Sequence, residues 1–89
     1  MNAQRRKALA DLMDRLTPLA ATITDIKDAL ETIRDEEQES FDNMPEGLQQ
    51  GDRGQAMEEA ISTLDSAIDD LENFDIDNIV SSIDEARGQ

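Results

Sequence analysis

The stretch from residue 9 to residue 33, LADLMDRLTPLAATITDIKDALETI, decides the fold. Within it Leu9, Leu12, Leu16, Leu19, Ile23, Ile26, Leu30 and Ile33 recur at alternating intervals of three and four, with polar residues between them. Such a heptad seam lays one stripe of a helix against other helices, and it excludes the strict alternation of a half-buried strand. Pro18 lies inside the seam, where a proline removes a helical hydrogen bond and crowds the carbonyl four residues back. Thr17 and Pro18 could instead open a second helix as cap and first residue. The apolar phase passes Pro18 without a slip, so the reading is one long helix over about residues 3–41, kinked near Pro18.

Beyond Phe41 the periodicity stops. Residues 42–54, DNMPEGLQQGDRG, hold three of the four glycines and one of the two prolines, which marks them as the turn. Pro45 suits one short helical turn there, with Met44 and Leu48 covering the end of the core. A second helix over about residues 55–73 places Met57, Ala60, Ile61, Leu64, Ala67, Ile68 and Leu71 on one side. Glu58, Glu59, Asp65, Asp69, Asp70 and Glu72 fall largely on the other side. After Leu71 the phase slips, and Asp75 can cap a short final helix over about residues 76–86, with Phe74 and Ile79 as a hydrophobic staple. The expected fold is all-α, one domain over residues 1–89: an antiparallel, coiled-coil-like helical hairpin with a short C-terminal helix.

A lone hairpin of this size leaves much of its apolar stripe facing water. Pairing two hairpins into a dimeric four-helix bundle would cover the first helix's seam together with Ile61, Leu64, Ile68 and Leu71, at about 25 cal/mol per Å² of apolar area. A homodimer is therefore expected, strengthened by salt because each copy carries a net charge of -14.

That charge comes from 22 Asp and Glu against 8 Lys and Arg, and the chain contains neither His nor Cys. Direct nucleic-acid binding and anionic membranes are disfavoured by repulsion, whereas a basic protein surface is attracted. Without His or Cys there is no ordinary zinc site, thiolate nucleophile or disulfide. No catalytic residue, cofactor or metal site is expected, and the chain reads as a non-enzyme. Residues 75–79 begin like an EF-hand loop, but Val80 stands where its glycine belongs and Ala86 where its bidentate glutamate belongs. The longest uncharged stretch, Leu16 to Thr24, is too short to span a bilayer. Asp11 precedes any apolar run long enough for a signal peptide, so a cytoplasmic location is expected.

The charge is uneven. Residues 1–44 hold ten acids and six bases, whereas residues 45–89 hold twelve acids and only Arg53 and Arg87. Asp11 with Arg15 and Glu31 with Arg34 sit at helical spacings suited to weak exposed pairs. Glu58, Asp65, Asp69 and Glu72 share one face of the second helix with no basic neighbour in sequence. Such a row can keep an exposed helix dispersed. Equally, it can imitate phosphates and occupy a Lys- and Arg-lined groove.

Arg5-Arg6-Lys7 opening a long helix, the run from Asp35 to Gln49 and then Glu58-Glu59-Ala60-Ile61 together resemble a group of small acidic proteins encoded by bacterial viruses and prophages. The likeness covers roughly residues 5–73 and is most specific from Glu36 to Gln49. It implies a helical hairpin and transfers no catalytic or binding residue. A viral origin implies an inhibitor of the anti-CRISPR or anti-restriction type, acting in the bacterial cell on a nuclease or nucleic-acid-binding effector. The alternative is a coiled-coil interaction or assembly protein whose heptad faces meet the partner.

Overall fold

The structure, a computed structural model, describes all 89 residues. It is all-helical: α1 is Ala3–Asp42, α2 Glu46–Gln49, α3 Asp52–Asn73 and α4 Ile76–Arg87. The Asn2 side chain caps α1 by accepting from the Arg5 backbone N–H at 2.8 Å. The helix runs through Pro18 as one element. Thr17 is interior to it, since its hydroxyl donates to the Met13 carbonyl at 2.9 Å, the back-bond of a residue inside a helix.

The chain forms two compact units, one of Met1–Asp25 with Phe74–Gln89, the other of Ile26–Asn73. In the second unit α1 and α3 run antiparallel in a register that two ion pairs report. Lys27 meets Glu72 at 3.6 Å, and Arg34 meets Asp65 at 2.8 Å. Each pair lies seven residues on in one helix and seven back in the other. Ile68 of α3 is buried, and Ile61, Leu64 and Leu71 are half-buried beside it.

The connection is tighter than the sequence suggests. The expected turn over residues 42–54 shrinks, because Asp42 still belongs to α1 and α3 begins at Asp52 rather than Gln55. Between them, the Leu48 and Gln49 N–H groups donate to the Pro45 carbonyl at 2.8 and 3.1 Å. The Gln49 side-chain amide donates back to the Phe41 carbonyl at 2.8 Å, tying α2 to the end of α1. Gly54 is the reason α3 can start early. It is helical and buried, and a Cβ there would lie 2.0 Å from the Gln49 carbonyl oxygen, so only glycine lets the two backbones approach. Leu48, expected to cover the core, is 59% exposed, because the short helix turns it outward.

In the first unit α4 lies along α1. Asp75 is its N-cap, accepting from the Asn78 backbone N–H at 3.0 Å. Ile76 is the side chain this unit buries, while the expected staple residues Phe74 and Ile79 stay exposed. Ile83 of α4 lines a shallow apolar depression with Leu12, Leu16 and Leu19 of α1.

Candidate partner-binding surfaces

The six acids proposed as a face all lie on α3, which runs as one helix from Asp52 to Asn73. The structure divides them. Asp65 and Glu72 are answered by Arg34 and Lys27 of α1, so the face is not free of basic neighbours as its sequence suggests. Glu58, Glu59, Asp69 and Asp70 are exposed, and none of their carboxylates makes an ion pair or side-chain hydrogen bond. Glu58 and Asp69 are eleven residues apart, three turns of helix, which separates the two free pairs by about 16 Å along the axis. Glu58 also borders a shallow groove with Gln38, Phe41 and Ile61.

Arg34 takes part in more than an exposed pair. Its guanidinium reaches Asp65 and the neighbouring Asp35, the latter at 3.1 Å, and not the Glu31 expected from helical spacing. Hydrogen bonding to Asp65, and then to Asp35, holds its pKa above the ordinary arginine value. No ion pair joins Asp11 to Arg15 either. Sequence reasoning assigned these bases to neighbours on their own helix. Equal seven-residue spacings of Lys27 and Arg34 on α1 and of Asp65 and Glu72 on α3 are the signal that identifies the true partners.

The α1 seam is divided as well. Leu9, Leu16, Ile23 and Leu30 are half-buried, whereas Leu12, Leu19, Ile26 and Ile33 remain 43%, 47%, 48% and 52% exposed. The covered line is completed by Met13 and Ala20 in the first unit and by Lys27, Arg34 and Phe41 in the second. One neighbouring helix covers only one arc of α1, and here that arc is shifted towards the charged side. Lys27 and Arg34 lay their stems along it and send their heads to Glu72 and Asp65.

A basic cluster in the first unit also escaped the sequence reading. Arg6 and Lys7 of α1 share a depression with Asp84 and Arg87 of α4. Asp84 pairs with Arg87 and neutralises part of it. No group of three or more His, Cys, Asp or Glu side chains is arranged to hold a metal ion. No helix is long and apolar enough to cross a membrane. No family model, curated protein or solved structure matches the chain.

Proposed function

We propose that the chain is a non-catalytic inhibitor that presents the acidic face of α3 to the basic, nucleic-acid-binding surface of a bacterial protein, in the manner of anti-CRISPR or anti-restriction proteins. The observation that carries this reading is the set of unpaired carboxylates, Glu58, Glu59, Asp69 and Asp70, in a chain of net charge -14. Their likeness to a phosphate row is coarser than six acids would give, since Asp65 and Glu72 are already engaged. Four exposed carboxylates still suit a Lys- and Arg-lined groove, where charge-assisted bonds form quickly and weaken with salt.

The test is a nuclease-treated pull-down from bacterial lysate, comparing the native chain with E58Q/E59Q/D69N/D70N. Asp65 and Glu72 are left intact, because neutralising them would remove the ion pairs that join α3 to Arg34 and Lys27 of α1 and confuse folding with binding. The native chain alone is expected to retain a nucleic-acid-binding protein, to release it at moderate salt and to compete with nucleic acid for it. Equal capture by both baits would overturn the proposal.

A second reading, a coiled-coil interaction protein in which the acids only prevent association, is favoured by the exposure of Leu12, Leu19, Ile26 and Ile33. Capture that persists in high salt and ignores the four neutralised acids would select it.

A further inference from the structure

The connection between α1 and α3 carries Leu48, the most exposed of the large apolar side chains. Its exposure is not that of a loose loop. The Leu48 and Gln49 N–H groups donate to the Pro45 carbonyl, the Gly51 N–H to the Leu48 carbonyl at 3.1 Å and the Gln55 N–H to the Gly51 carbonyl at 3.0 Å. The Gln49 amide ties the same turn to Phe41, and Gly54 lets it lie against the start of α3. A backbone fixed on both sides holds Leu48 at the surface in advance, so a contact there costs little further ordering.

Leu48 does not stand alone. With the half-buried Met44 and Met57 it lines a depression of about 420 Å³, whose polar wall includes Ser40, Asp52 and Arg53. All of these residues belong to the unit Ile26–Asn73. Methionine side chains are unbranched and polarizable, and they adjust to the shape of an incoming apolar group.

The surroundings select the occupant. Residues 35–59 hold nine acids and Arg53 as their one base, a net charge of -8. An acidic segment is repelled from such a collar, whereas a basic one is attracted. An apolar depression among acids is complementary to apolar side chains among bases, which is what one stripe of a basic amphipathic helix presents.

We propose that this depression docks a basic amphipathic helix of a partner protein, which lays an apolar side chain against Met44, Leu48 and Met57 while its lysines and arginines meet the surrounding carboxylates. The proposal shares a basic partner with the acidic-face reading but adds an apolar anchor, and it stands without Asp69 and Asp70.

Methionine methyl NMR of the full chain tests it, because Met44 and Met57 report the site while Met1 and Met13 belong to the other unit. The probe is an amphipathic helical peptide of Leu and Lys, about 14 residues long. The control peptide replaces every Leu by Ser at the same charge. In about 150 mM NaCl the Leu and Lys peptide is expected to shift the Met44 and Met57 methyls saturably and to leave Met1 and Met13 in place, and the control is expected to shift none. L48S is expected to weaken binding at least about tenfold with native far-UV helicity, because the side chain is 59% exposed in the free chain. Equal shifts from both peptides, equal shifts at all four methionines, or a folded L48S that binds like the native chain overturns the proposal. The comparison of peptides on the native chain does not depend on L48S folding. Failure of the acidic face is distinguishable, since L48S leaves every carboxylate in place: peptide binding at Met44 and Met57, together with equal lysate capture by the native chain and E58Q/E59Q/D69N/D70N, would keep this site and discard that face.

Discussion

In the unit formed by Ile26–Asn73, α3 is held against α1 by a buried Ile68, two ion pairs in one register and a glycine that admits the Gln49 backbone. In the unit formed by Met1–Asp25 with Phe74–Gln89, α4 is held by a buried Ile76 and the Asp75 cap, and its charged residues pair locally, Arg87 with Asp84. The first arrangement fixes its register with two ion pairs between helices, while the second has none and rests on Ile76 with Val80, Ile83 and Ala86 half-buried beside it. Elements with few buried contacts open at lower free energy than the molecule as a whole. The unit containing α4 is thus expected to exchange its amides sooner than the unit containing α3.

The sharpest way to break this comparison is to empty each anchor. I76A and I68A should each cost about 2–5 kcal/mol, since both side chains are almost fully covered. At about 4–8 °C per kcal/mol for a chain of this size, either would produce a large fall in melting temperature. Hydrogen exchange separates the two variants: I76A should strip protection from α4 and leave α3 protected, whereas I68A should expose α3. If I76A also removed protection from α3, the two units would unfold as one and the contrast would fail.

G54A is expected next, at about 1–3 kcal/mol, because its methyl group would overlap backbone and the connection must shift to receive it. The loss should be confined to the unit containing α3. A neutral or stabilising G54A, as helix propensity alone would give, would show that the close approach to Gln49 does not matter.

Much of this could be read from residues, and the exceptions have physical causes. The long helix through Pro18, the second helix and the cap at Asp75 follow from periodicity and local hydrogen-bonding chemistry, which act within a few residues. Gly54 was read as a breaker because a glycine required by close approach looks the same in sequence as one required by a turn. The division of the seam escaped for a related reason: eight apolar positions at ideal spacing do not reveal which arc of the helix a single neighbour covers. Arg34 looks like half of an exposed pair with Glu31 because charge is normally excluded from such an arc, unless a long stem can cross it to reach a carboxylate. The same blindness made Asp65 and Glu72 look as free as Glu58 and Asp69.

Asp75 offers a smaller and purely local test. D75A removes the acceptor for the Asn78 N–H and should cost about 1 kcal/mol, lowering the protection of α4 alone. D75N, which keeps an acceptor oxygen, should recover most of the loss. If the alanine and asparagine variants were equally unstable, the negative charge at the helix N-terminus and not the hydrogen bond would be what holds α4.

The smallest effect is expected from the ion pairs, and it sharpens the comparison most finely. R34Q and K27Q should each lower the melting temperature by at most about 3 °C at low salt, and less at high salt, because the groups are solvent-accessible. Their larger consequence should be on register and on the acidic face, since each frees a carboxylate of α3. Asp65 or Glu72 would then join Glu58 and Asp69, and binding to a basic partner should tighten even as the fold weakens slightly. The effect of R34Q on stability should not change between about pH 6 and 9. Because hydrogen bonding to Asp65 and Asp35 raises the folded-state pKa of Arg34, its contribution is fully present below the unfolded value. It is lost only as pH rises through the higher folded value, far above this range. A difference between R34Q and the native chain that varied across neutral pH would mean that another titrating group, and not the Arg34 to Asp65 contact, sets the register of α1 against α3.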